Sequence, residues 1–347
     1  MSSNGAGLGH LSRLSAISEH LPGRVLIYTM SSAYHRLNKK ESEIIYFPSY
    51  GDLGMNGDKW NPLMEAHFTA VVEGYRPTAI VFDGTYVYNG LSAVAKRKSI
   101  PLVWVQRGCW KPEVAEKSLQ WKYPERYVDM VIVPGDYGYI ESRRSSAVPV
   151  GYVSPIITVD REHLLPREEA IKFLGLSGEK KYFLLQVGAG VINNTSDTVK
   201  TAVAAVRELG DEWEPVLVRN PLKDETRDPE VRRVDAFPLS KYLNAFEAGI
   251  FAAGYNSVQE AVCAALPAVF VPNSATKTDD QEMRARGMSE KGLGIVARNT
   301  EEVALAIQRL GSDGERQEIR QRLLEAYEKN GSYDAARLIA HFSPKQN

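Results

Sequence analysis

Short apolar runs alternate with amphipathic stretches along almost the whole chain. The segments RVLIYTM (24–30), TAIVFDG (78–84), PLVWVQ (101–106) and DMVIVPG (129–135) are rich in β-branched residues and close on turn formers. Continuous runs of this kind predict strands buried on both faces, as in a parallel sheet. Between them, PLMEAHFTAVVEGY (62–75) and NGLSAVAKRKS (89–99) predict helices. A second series begins after VPVGYVSP (148–155), with strands over 182–190, 214–220, 248–254 and 267–273 and helices over 195–209 and 256–266. EIRQRLLEAYEKN and SYDAARLIAHF predict two closing helices, and the charged stretch KDETRDPEVRR (223–233) predicts a solvated loop. Two strand–helix series parted near residue 150 predict two doubly wound α/β domains facing each other across a cleft. The expected division is 1–150, 151–325, and a terminal helix over 326–347 packing back on the first domain.

Composition narrows the class of protein. The 347 residues are 44% hydrophobic and 24% charged, with a net charge of -1, so nothing suggests a nucleic-acid partner. No run approaches the roughly 20 apolar residues of a membrane span, and the first residues do not resemble a signal peptide. Cys109 and Cys263 lie far apart and form no metal-type spacing. The expectation is a cytoplasmic protein without a cofactor.

Candidate chemistry begins at NGAGLGHLSR (4–13). Glycines at 5, 7 and 9 allow a sharp turn and a close approach to a ligand, and a helix follows whose N–H groups would face it. The register of a dinucleotide fingerprint fails, because His10 stands where the third glycine belongs and no acidic residue ends the next strand. There is no G-K-[ST] of a P-loop either. His10 is left over, and a histidine at such a junction is a candidate base. Asp83, closing AIVFDG, could orient His10 or replace it, or could simply form an Asp-Gly turn.

The second constellation is GYNSVQEAVCAALPAVFVP (254–272). Ser257-x-x-Glu260 reads as a capping box. The same helix start, at Gly254, Asn256 and Ser257, could instead bind a diphosphate, while Glu260 accepts both hydroxyls of a ribose. Asp279, Asp280 and Gln281 cluster at the next loop–helix junction, either as helix caps or as donors and acceptors for sugar hydroxyls. Gly188 and Gly190, in QVGAGVINN, mark a third glycine turn.

Taken in this order, GLGHLSR, VGAG and AGYNSVQEAVCAALPAVFVP resemble the GT-B glycosyltransferases of family 28, among them the peptidoglycan-precursor N-acetylglucosaminyltransferases. The resemblance implies a GT-B fold of two Rossmann-like domains and a nucleoside-diphosphate sugar as donor, with UDP-sugar favoured. It implies that Glu260 holds the ribose, that Ser257 lies at the diphosphate-facing helix start and that Asp280 and Gln281 read the donor sugar. Phe237 and Leu239 would fall in the segment that contacts uracil. Gly7, Gly9, Gln106 and Arg107 would fall on the acceptor side. Where relatives carry a His-Glu-Gln-Asn run toward a peptidoglycan lipid, this chain has Val105, Gln106, Arg107 and Gly108. A different acceptor is therefore expected: another glycan, a lipid-linked sugar or a small molecule, with peripheral membrane contact left open.

The expected reaction is an inverting, metal-independent transfer, with His10 as base and Asp83 as its partner. Nucleotide-sugar hydrolases of the same fold share the G-x-G-H-x-x-R pattern, and a nucleotide-sugar hydrolase or epimerase remains the alternative, as does a nucleotide-binding relative without turnover. One feature conflicts with the resemblance. Relatives run a hydrophobic strand into the glycine loop, and here Met1 falls where that strand should end. The first sheet is expected to lack its central strand, with the chain beginning late.

Overall fold

The computed structural model describes residues 1–3, 8–37, 43–140, 143, 145–187, 196–219 and 231–342. The chain divides into two compact units. One comprises Met1–Gly135, Glu141–Ile156 and Asn330–Asn347, and the other comprises Asp136–Ile140 and Ile157–Lys329.

Unit 1 contains strands β1 (Leu26–Thr29), β2 (Glu43–Tyr46), β3 (Ile80–Asp83), β4 (Leu102–Val105), β5 (Met130–Pro134) and β6 (Val150–Val153). Its helices are α1 (Gly9–Ser18), α2 (Gly57–Tyr75), α3 (Asn89–Arg97) and the one-turn α4 (Pro112–Ala115) and α5 (Leu119–Lys122). Strands β3 to β6 pair in sequence order and β1 pairs with β2, all in parallel. Alternation along β4 shows why the strand is apolar throughout. Leu102 and Trp104 join the core made with Met64 and Phe68 of α2 and Leu91 and Val94 of α3. Val103 and Val105 point the other way, toward Leu14 and Ile17 of α1.

Residues 1–3 run between β1 and β3. The Ser2 N–H donates to the Tyr28 carbonyl (2.9 Å) and the Ser3 N–H to the Asp83 carbonyl (2.9 Å). In return, Met30 and Asp83 donate to the carbonyls of Ser2 (3.3 Å) and Met1 (3.0 Å). These bonds join the two groups of strands in the order β2-β1-(1–3)-β3-β4-β5-β6. The ladder groups on β1 and β3 that the sequence leaves without an obvious partner are met by Met1, Ser2 and Ser3. A buried serine is tolerable there because its hydroxyl pairs with that of Thr29 at 2.6 Å.

Unit 2 contains β7 (Lys181–Gln186), β8 (Trp213–Val218), β9 (Arg232–Val234), β10 (Ala248–Ala252), β11 (Ala268–Val271) and β12 (Ile295–Val296). Its helices are α6 (Arg167–Phe173), α7 (Ser196–Arg207), α8 (Tyr255–Cys263), α9 (Gln281–Glu290), α10 (Thr300–Gly311) and α11 (Asp313–Ala326). The all-parallel sheet has the order β12-β11-β10-β7-β8-β9. The last helix, α12 (Ser332–Phe342), belongs to unit 1 and packs against α1 and β6.

Both sheets have a point where the strand order reverses. In unit 2 it lies between β7 and β10, and in unit 1 between residues 1–3 and β3. In open parallel sheets, ligands bind outside the carboxyl ends of the strands at such points. Helix α8 leaves β10 at the reversal in unit 2, and Asp83 closes β3 at the reversal in unit 1.

Candidate functional site

In unit 1, α1 begins at Gly9 with no side-chain cap, and its buried face carries Leu11, Leu14 and Ile17. His10 and Arg13, three residues apart, share a neighbouring face. Both reach Asp83. His10 Nδ1 lies 2.6 Å from Asp83 Oδ1, and Arg13 Nε donates to Asp83 Oδ2 at 2.6 Å. The Asp83 side chain is 1% exposed and that of Arg13 2%, whereas His10 keeps 14%. Burial would raise the Asp83 pKa, but the charge of Arg13 and the hydrogen bond from His10 outweigh it and hold the carboxyl below its ordinary value. A carboxylate and a ring nitrogen 2.6 Å apart need a proton between them, so Nδ1 carries it and Nε2 keeps its lone pair. Arg13 Nη2, at 3.2 Å from Nδ1, is the more distant neighbour. Burial also lowers the His10 pKa below its usual value, opposed by Asp83 and reinforced by Arg107 and Arg13. The result is a neutral imidazole whose tautomer is fixed by a charged carboxylate, which is what a general base requires.

Asp83-Gly84 is not a simple turn. Gly84 is required by a close approach, since a Cβ there would lie 2.4 Å from Phe82 Cζ and 2.7 Å from Ser3 Oγ. Gln106 and Arg107 follow β4, the neighbour of β3, so they lie at the same sheet edge as Asp83. Gln106 is buried and Arg107 partly exposed. The loop after β3 opens onto two adjoining cavities of about 440 and 370 Å³. Tyr86, Val114 and Leu119 line one, Tyr50, Trp60 and Tyr88 line the other, and both share Gln120.

In unit 2, α8 starts three residues earlier than the capping-box reading places it. Gly254 is the N-cap and no side chain caps the helix, so Asn256 and Ser257 stand inside its first turn. The Ser257–Glu260 box is therefore not formed, and Glu260 turns instead to Thr158, whose hydroxyl donates to Oε1 at 3.0 Å. Burial pushes the Glu260 pKa up to about 7, and hydroxyl donors only partly offset it. Among the described residues no cation pairs with Glu260. The side-chain amide of Gln281 lies beside the helix start, since a Cβ on Gly254 would be 4.0 Å from Gln281 Nε2, and its Oε1 accepts from the Asn273 N–H at 3.0 Å. Asp280 caps α9 through the Met283 N–H (2.9 Å), and Asp279 is bound to Arg284 (2.8 Å). Arg284 is fully buried and also holds Asp136 at 2.6 Å, while Gln259 binds the other oxygen of Asp136 at 2.9 Å. Phe237 and Leu239 follow β9, half-buried, at the start of the 3₁₀ turn Leu239–Ala245.

Of the residues singled out from the sequence, His10 and Asp83 meet in unit 1, and Gly254, Asn256, Ser257 and Gln281 gather around the start of α8. Gly9 opens α1, whereas Gly7, Gly188 and Gly190 lie outside the described residues. Arg13, Thr158, Arg284 and Asp136 were not foreseen. Only Arg13 left a local signal, its spacing of three from His10. The others act on partners that are remote in sequence or that a helix cap would equally explain. No helix among the described residues is long and apolar enough to cross a membrane. One cluster, Asp160, Glu162 and His163, has the spacing to hold a cation. It lies on an exposed turn whose Arg161 binds the carbonyls of Val262 and Cys263, at the opposite end of α8 from Gly254.

No protein-family model matches the chain. Among curated proteins it is 24% identical over 360 residues to a UDP-N-acetylglucosamine--N-acetylmuramyl-(pentapeptide) pyrophosphoryl-undecaprenol N-acetylglucosamine transferase of Sulfurovum sp., with 99% of this chain and 98% of that protein aligned. It is 24% identical over 237 residues to the Bacillus subtilis protein of that name, covering 65% of this chain and 62% of the relative's length. Among solved structures, the kitacinnamycin glycosyltransferase superposes with a TM-score of 0.67 at 16% identity, covering 99% and 98% of the two chains. The spinosyn rhamnosyltransferase SpnG complexed with thymidine diphosphate gives 0.65 at 15% identity, covering 99% of each. The fold is therefore GT-B, and both comparisons converge on sugar-transferring enzymes.

Proposed function

We propose that this chain is a glycosyltransferase that moves a sugar from a nucleoside-diphosphate sugar, with UDP as the favoured carrier, to an acceptor hydroxyl. The observation that carries this reading is the His10–Asp83 pair at the strand-order reversal of unit 1, a neutral base with one nitrogen committed and the other available. His10 Nε2 takes the proton of the acceptor hydroxyl as its oxygen attacks the anomeric carbon. Asp83 stabilises the imidazolium that forms. The C–O bond to the diphosphate breaks on the opposite face, so a single displacement inverts the configuration. The leaving diphosphate gains charge at the start of α8, where main-chain N–H groups and the helix dipole favour an anion. Glu260 binds the ribose diol, and Gln281 binds hydroxyls of the sugar.

Metal independence is part of the proposal. Asp279 and Asp280 precede α9 and Glu282 lies in its first turn, and each is already committed, to Arg284, to a helix cap and to Arg298 respectively. The acceptor occupies unit 1, along the cavities after β3, one of them lined by Tyr50, Trp60 and Tyr88. Replacing His10 with Ala is expected to lower turnover by about 10²–10⁴-fold while leaving UDP affinity within a factor of about two. Turnover retained in that variant would reject His10 as the base. Full-rate release of free sugar without acceptor would instead make the enzyme a hydrolase.

A further inference from the structure

Glu260 is a half-buried carboxylate with no cation beside it among the described residues, and that leaves open what fixes its orientation. The segment 158–161 lies along the flank of α8. Arg161 donates to the carbonyls of Cys263 (2.7 Å) and Val262 (2.9 Å), and its guanidinium lies 3.8 Å from the centre of the Tyr327 ring. The Cys263 thiol reaches the Val159 carbonyl at 3.5 Å, and Ile157 is buried just before it. These ties lie within one turn of Glu260 along α8 and hold the chain on either side of Thr158. Its hydroxyl donates to Oε1.

We propose that Thr158 is the positioning residue of the donor site: its hydroxyl holds Glu260 Oε1 so that the carboxylate meets the ribose diol in one fixed orientation. This inference rests on the reading of Glu260 as the ribose ligand. A hydroxyl donor also favours the charged carboxylate over the neutral acid, and only the charged form offers acceptors to both hydroxyls of a diol. The other groups facing Glu260 do not titrate near neutrality. They are the Ser240 hydroxyl on the turn after β9 and the Cys263 thiol one turn further along α8, which burial pushes up to about 12. Glu260 itself, with a pKa near 7, then sets the pH response of nucleotide binding. Affinity is full above that value and is lost as pH falls through it.

The test is calorimetric binding of UDP between pH 6 and 8.5 to the wild type, Thr158→Val, Thr158→Ser and Glu260→Ala, each checked for an unchanged unfolding temperature. Thr158→Val is expected to bind UDP about tenfold more weakly at pH 7, the size of effect a hydrogen bond to a charged group carries. The deficit narrows toward pH 8.5, where Glu260 ionises without help, and Thr158→Ser restores both affinity and pH midpoint. With 2′,3′-dideoxy-UDP, wild type and Thr158→Val should bind alike. If Glu260→Ala loses affinity but Thr158→Val matches wild type at every pH, the role of Thr158 is overturned and the ribose reading stands. A Thr158→Val deficit that is constant with pH and not rescued by serine would mark a merely structural contact and also overturn it. Glu260→Ala binding UDP as tightly as wild type would overturn the ribose reading and the proposal together.

Discussion

Asp83 shows how much a single carboxylate can organise. It sits at the end of a strand with almost no exposure, and burial alone would drive it toward the neutral acid. Arg13 and His10, about 70 residues away in sequence, reverse that outcome. His10 was legible because it broke a glycine pattern, and Asp83 because it closed an apolar run. The tie between them was not legible, since nothing local distinguishes a turn-forming Asp-Gly from a buried ion pair. If the neutral form of His10 is the working base, activity is complete above its pKa and falls as pH drops through it. Because burial, Arg107 and Arg13 lower that pKa, the acid limb of kcat at saturating donor, where the pH dependence of binding through Glu260 drops out, should lie below the ordinary histidine value of about 6.5. A limb at or above it would contradict the assignment. Asp83→Asn should lower kcat by about 10²-fold or more by releasing the tautomer. It should also destabilise the protein by about 3 kcal/mol by leaving Arg13 buried without its partner. Urea titration of the variant against wild type checks the second figure.

Elements with strong periodicity were readable, and those at edges were not. The strands at 26–29, 80–83, 102–105 and 130–134 are buried runs and fall inside the segments their sequences predict. β2, β6, β9 and β12 are short or only partly covered. β9 lies just inside the charged stretch expected to be loop, where pairing to β8 overrides composition. The first turn of α8 was misjudged because a Ser-x-x-Glu spacing is a good cap in isolation. Gly254 takes that role instead and frees Glu260 to face Thr158. Two glycines next to candidate chemistry should therefore differ on substitution. Gly84→Ala forces a methyl against the buried Phe82 ring and should cost about 1–3 kcal/mol in thermal unfolding. Gly254→Ala meets nothing closer than 4.0 Å at ordinary φ and should change stability by less than about 1 kcal/mol. Equal effects would mean that packing at Gly84 is looser than the structure has it.

For the molecule as a whole, each unit places its candidate residues where its own parallel sheet reverses strand order. That placement follows from topology, and topology was inferable from two strand–helix series. The filling of the first sheet by Met1–Ser3 was not, because three residues of which two are serines carry no strand signal; they work through the backbone, the Met1 side chain in the core and the Ser2–Thr29 hydroxyl pair. The central claim is that unit 2 binds a nucleoside-diphosphate sugar through α8. Its most direct test is a thermal-shift comparison of UDP, dTDP, GDP, ADP and NAD on wild type and Glu260→Ala. At about 100 times its Kd, a true ligand stabilises by roughly 2.7 kcal/mol. The account predicts a selective shift with UDP in the wild type that is largely lost in Glu260→Ala. A shift with none of the nucleoside diphosphates, or one that survives the loss of Glu260, would contradict it.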